Sequence, residues 1–180
     1  MIQLYNKDLE DALLVSFDGK KLPLAIKLKN LGCVRYSPCN TWIGQVGRYK
    51  GFCRFSTFKF GVRAVVMLLM RYVYVYHLND IWDILNRYSP VSDGNNVGNY
   101  YKSVVADCGF DILSNNIEIL RCQIQMLVYA ITCVECGNDF KVYVSNSKFF
   151  QYLLNVADAA FQEYLDNVIF SSIGKVDKLP

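Results

Sequence analysis

Histidine is nearly missing from this sequence, with His77 the only one in 180 residues. It stands far along the chain from every candidate nucleophile, so no Ser–His or Cys–His pair is expected. Proline is scarce, at four against eleven glycines, and neither an internal repeat nor a low-complexity tract is present. An excess of one charge is lacking too. The net value of +3 argues against a purely nucleic-acid-binding role, because phosphate recognition needs a concentrated basic face. Long hydrophobic runs are absent: the most apolar stretch, 62–76, is interrupted by Arg63 and Arg71 and is too short to span a bilayer. No secretory leader is expected, since Asp8, Glu10 and Asp11 follow closely on the first residues. The chain reads as soluble, with no membrane span.

What is present is core-forming material. Hydrophobic residues make up 53% and charged residues 19%, which excludes bulk disorder, and the length suits one domain with short extensions. Seven cysteines, an odd number, leave at least one thiol unpaired. Several sit in apolar runs, so buried reduced thiols in a cytoplasmically made protein are expected. Cys133 and Cys136 have CxxC spacing without a second pair. Packing is the expected role, with zinc or redox chemistry as the alternative. No metal site or cofactor is assigned.

Pattern along the chain predicts mostly helix. A short helix is expected over 8–16, an Asp18-Gly19 turn, and an irregular hairpin or three-stranded flap over 30–60. Helices are expected over 58–76, with His77 closing it, and over 80–87, capped by Asn79 and ended by Ser89-Pro90. Others are expected over 97–107, ended by Gly109, and over 117–135, opened by an Asn115–Glu118 capping box and closed by Gly137. Residues 141–144 read as extended. A last helix, 148–170, is capped by Asn146 and carries the stripe Phe149, Leu153, Val156, Ala160, Tyr164 and Val168, ahead of a loose tail over 171–180. That stripe is expected to pack back, or else to meet another chain.

The most informative order of residues is Asn30-Leu-Gly-Cys-Val-Arg35-Tyr, then Trp42-Ile-Gly44, Gly51-Phe-Cys-Arg-Phe55 and Gly61-Val-Arg63-Ala64. Leu68, Leu69 and Tyr72 follow, then Ile81 to Tyr88 before Ser89-Pro90. This order resembles a family of phage and prophage proteins that are lysozyme-like or structural components of the virion. The family pattern runs Asn-Pro-Gly-Asn-Ile-Arg, Trp-x-Gly, Gly-Phe-x-x-Phe, Gly-Ile-Arg-Ala. More distantly, it is similar to the segment after the catalytic acid of bacterial glucosaminidases. The likeness covers roughly residues 25–137, leaving 1–24 and 138–180 as extensions. The chain departs from the pattern where proline and the second asparagine become Leu31 and Cys33, and where Tyr88 replaces a tryptophan.

The resemblance implies an α+β fold, mostly α-helical, with a lysozyme-like body and a groove under the flap. It implies a virion-associated structural protein of the tail or head-tail joint, made in the host bacterial cytoplasm and oligomeric with other virion proteins. The alternative is a peptidoglycan glycosidase acting on the host wall. Hydrolysis needs a carboxylic acid whose pKa is raised by apolar surroundings. Glu10 is the only upstream glutamate, and its neighbours Asp8 and Asp11 fit the solvated first turn of a helix equally well. Asp18 reads as a turn residue. Arg35, Tyr36, Trp42, Phe52 and Arg63 are the groove candidates. Each has a bland role as well: aromatics fix a small hairpin, and arginines pin element junctions. Lys20, Lys21, Lys27 and Lys29 form a basic stretch, either a solvated face or a contact with anionic wall polymer or packaged DNA.

Overall fold

Lys50 and Gly51 both adopt positive φ, 49° and 81°. Two such residues in succession make the tight turn whose twist suits a hairpin. They join β1 (Gln45–Tyr49) to β2 (Phe52–Phe55), antiparallel, with Tyr49 opposite Phe52 and an irregularity between Gln45 and Gly47. On the other edge of β2, Arg35 makes a single bridge to Phe52. The expected flap is therefore a two-stranded hairpin with one bridging pair beside it. The computed structural model describes residues 22–138, 140–141 and 148–176. The expected helix over 8–16, the Asp18-Gly19 turn, Lys20, Lys21 and the Asn146 cap lie outside them.

Six helices complete the α+β, mostly helical architecture: α1 (Leu24–Lys27), α2 (Phe58–Tyr74), α3 (Ile81–Tyr88), α4 (Val97–Cys108), α5 (Ile117–Cys136) and α6 (Lys148–Val176). Thr57 opens α2 by accepting from the Phe60 N–H. Gly109 and Gly137, both at positive φ, close α4 and α5 as expected. Past the end of α2, His77 takes φ 56°, and the Leu78 N–H returns to the Tyr72 carbonyl.

Two caps sit one residue later than expected. Asp80, not Asn79, caps α3, accepting from the Trp82 N–H at 2.7 Å. The Asn79 carbonyl is engaged by the Leu113 N–H instead. Asn116, not Asn115, caps α5 through the Glu118 and Ile119 N–H groups. Glu118 then falls at the second helical position, so no reciprocal capping box forms. Two further expectations are corrected. Lys141 is helical rather than extended, in a turn that buries Phe140 edge-on against Phe149. Residues 171–176 continue α6 rather than forming a tail.

Most of the expected stripe on α6 packs back: Phe149, Leu153, Val156 and Ala160 are buried and Tyr164 partly so, whereas Val168 is 41% exposed. This helix lies against α2 and α5. Phe149, Leu153, Ala157 and Phe161 are buried in the same core as Phe58 of α2, and the Phe58 and Phe149 rings meet edge to face at 5.9 Å. Each such side chain contributes about 1.5–3 kcal/mol on burial. The run over 62–76 is not the most apolar helix. Among the described residues α5 alone is long and apolar enough, by length and composition, to cross a membrane, and it is half buried inside the fold.

Three contacts seat the hairpin on this body. Asn30 is 1% exposed; its amide donates to the Val34 and Cys53 carbonyls at 2.9 Å and accepts from the Val34 N–H at 2.8 Å. Gly61 lets α2 approach so closely that a Cβ there would stand 2.1 Å from the Lys29 carbonyl oxygen. Gly32 is packed likewise against Val65 and the Tyr88 hydroxyl, which donates to its carbonyl. Removing the Asn30 amide takes the side-chain partner from the Val34 N–H and the Cys53 carbonyl, at about 1–3 kcal/mol each, while the Val34 carbonyl keeps the Cys53 N–H. Asn30→Ala is therefore expected to lower stability by about 2 kcal/mol or more, read as a reduced urea midpoint with an unchanged slope. A loss under 1 kcal/mol, on the order of one ordinary hydrogen bond, would contradict this.

Candidate functional site

The groove candidates do not converge. Trp42 lines a cavity of about 320 Å³ with Asn40, Met67, Arg71 and Tyr164, and none of the other four candidates lines it. Its buried indole N–H has no partner among the described residues. Tyr36 lies under the Arg48 guanidinium at 4.8 Å, and Phe52 under that of Arg35 at 5.3 Å. Arg63 is held by Glu163 in a two-pronged pair at 2.8 and 2.5 Å, which pins α2 to α6 rather than hairpin to helix. The ion pair holds the Glu163 carboxyl below its ordinary range. Glu10 lies outside the described residues.

The acid that the structure does place beside the hairpin is Glu135, in the last turn of α5. Tyr100 of α4 donates to its Oε1 at 2.7 Å. The Cys33 thiol also hydrogen-bonds it, and the charge of Arg35 acts on it. Burial outweighs these three influences and raises the carboxyl above its ordinary 4.5. Burial also pushes the phenols of Tyr88 and Tyr100 and the thiol of Cys33 well up. The result is a small, poorly solvated cluster around one acid.

Beside the carboxyl opens a cavity of about 320 Å³ lined by Ser89, Asn95, Asn96, Asn99, Ser103 and the edge of Tyr100. Amides and hydroxyls suit a neutral, polyhydroxylated ligand. Two of those amides are already engaged: Asn96 caps α4, and Asn95 reaches the Pro90 carbonyl. Among the described residues no other carboxylate lines this cavity. A protonated Glu135 is able to donate a proton, but none of the described residues supplies its walls with the second carboxylate of the usual glycosidase pair.

Sequence reading missed Glu135 because attention fell on acids upstream of the hairpin. The signal was there: between Arg121 and Asp139, Glu135 is the only charged residue. A lone charge closing an apolar helix has to find hydrogen-bond partners or lose its charge. Cys133 and Cys136 flank it as buried thiols, with Cys133 raised to about 11 by burial. Among the described residues no group of three or more His, Cys, Asp or Glu side chains could hold a metal ion. All seven cysteines are free, Cys39 and Cys122 exposed. No family model matches the chain, and no curated protein matches it either.

The raised Glu135 carboxyl has a measurable signature. The folded chain retains a proton there that the unfolded chain releases above pH 4.5. That stabilisation is full below 4.5 and is lost as pH rises through the folded value. Glu135→Gln removes the loss. Its Tm relative to the unsubstituted protein is expected to rise as pH goes from 4.5 to neutral, followed by thermal melts across that range. A pH-independent difference would contradict the burial argument.

Proposed function

We propose that this chain is a virion-associated structural protein of a bacteriophage, built on a lysozyme-like module. One observation carries the reading: the residues that bear the family resemblance are engaged in holding the fold together. Asn30 ties the hairpin, Gly32 and Gly61 seat it, Tyr88 bonds the Gly32 carbonyl, and Arg63 fastens α2 to α6. A groove stripped of a second carboxylate, with its arginine fork engaged elsewhere, suits a retained architecture better than a retained reaction. Exposed apolar side chains support assembly with other virion proteins. Trp82 and Ile112 are 43% and 47% exposed, and the Asp80–Ile112 bridge joins the segments that carry them. Mass spectrometry of purified particles is expected to find the chain as a stoichiometric component. Its absence from particles made by a producing host would overturn the reading.

A second reading is favoured by Glu135 alone: a peptidoglycan glycosidase with that carboxyl, rather than Glu10, as the proton donor. In a zymogram against bacterial sacculi, the structural reading expects no clearing. Clearing that disappears in Glu135→Gln would establish the enzyme instead, and clearing that survives the substitution would remove Glu135 from the chemistry.

A further inference from the structure

The mild net charge conceals a strong segregation. Between Asp18 and Asp80 the sequence has eleven lysines and arginines and not one aspartate or glutamate. From Asp80 onward there are twelve acids against seven bases. The hairpin, α1 and α2 all come from the acid-free stretch. The described ion pairs, Arg63–Glu163, Arg121–Asp158 and Lys141–Asp107, neutralise one of its cations, Arg63.

Four of those cations share one depression. Between α1 and the hairpin lies a groove of about 600 Å³ whose walls carry Lys27, Arg48, Lys50 and Arg54, with Tyr49 at its edge. All four cations are exposed, and none forms an ion pair among the described residues. Among the described residues no carboxylate lines the groove. Tyr49 is 52% exposed, with the Lys50 ammonium 5.6 Å from its ring centre. Nearby, the Arg48 guanidinium lies over the Tyr36 ring, which keeps that charge at the surface in a fixed place.

We propose that this groove binds the phosphodiester backbone of nucleic acid without sequence specificity. Four cations along a channel, none of them in an ion pair among the described residues, are the electrostatic footprint of a polyanion. An exposed aromatic ring among them is what favours nucleic acid over an anionic lipid surface or wall polymer, because bases reward stacking and acyl or glycerol phosphates do not. Leu22, Leu24 and Leu28 also line the groove, but Leu28 is buried and the other two are partly so, which leaves Tyr49 as its exposed apolar group. The proposal stands apart from the virion reading and does not need it.

The test is fluorescence anisotropy of the full chain with a labelled thymidine oligonucleotide and, separately, a random-sequence duplex. Four backbone contacts predict a slope of log K against log salt of about −3 for the single strand, an affinity loss of about fifty-fold between roughly 50 and 200 mM salt. Joint substitution Lys27→Gln, Arg48→Gln, Lys50→Gln and Arg54→Gln is expected to abolish binding with an unchanged Tm. Tyr49→Ala is expected to weaken the single strand at least about five-fold and the duplex little. As a control, Lys102→Gln with Lys148→Gln, both exposed and in the acidic half, is expected to leave affinity unchanged. The proposal is overturned if neither nucleic acid binds at low salt, if the control pair loses as much as the groove variant, or if vesicles containing anionic phospholipid bind where oligonucleotides do not.

Discussion

One buried amide determines where the hairpin goes. Asn30 is among the few polar side chains in the core, and it is fully engaged with Val34 and Cys53. Val34 belongs to the loop entering the flap and Cys53 to β2, so a single side chain closes the flap's base. A hydrophobic residue in its place would leave the Val34 N–H and the Cys53 carbonyl dry and without that partner, which is why an apolar core tolerates a polar group here. The two glycines act with it. Gly61 admits the Lys29 carbonyl to the surface of α2, and Gly32 admits Tyr88, so hairpin, α2 and α3 meet at backbone distance.

That meeting point also determines the environment of Glu135. Cys33 follows Gly32 and takes φ 50°, a left-handed conformation that favours glycine or asparagine. Held there, its thiol turns to the Glu135 carboxyl at the end of α5. Tyr100 approaches from α4 and completes the cluster. The same packing that secures the flap thus excludes water from an acid, and the acid's raised pKa is a consequence of architecture before it is evidence of chemistry.

Much of the fold was legible because the punctuation was local. Gly109 and Gly137 end their helices through their own backbone preference, whereas the Thr57 cap and the Lys50-Gly51 turn, though equally local, went unread. Adjacent cap candidates were not separable on that basis. Asn79 and Asp80 are both good caps, and the choice fell to Leu113, which takes the Asn79 carbonyl from across the fold. Asn115 and Asn116 pose the same ambiguity, settled by Ser114 holding the Asn116 N–H. The candidate site was less legible. Arg35, Tyr36 and Phe52 do sit around the flap, but Glu135 reaches it from about a hundred residues further along, a proximity no spacing rule encodes.

The pairing of Arg63 with Glu163, and of Phe58 with Phe149, joins residues separated by about half of the chain's length. Contacts of such long sequence separation are entropically slow to close. During synthesis, α2 emerges from the ribosome long before the helix that covers it, leaving Phe58, Val62 and Leu69 without their partner surface. The packing of α2 against α6 is therefore completed only after translation has delivered α6.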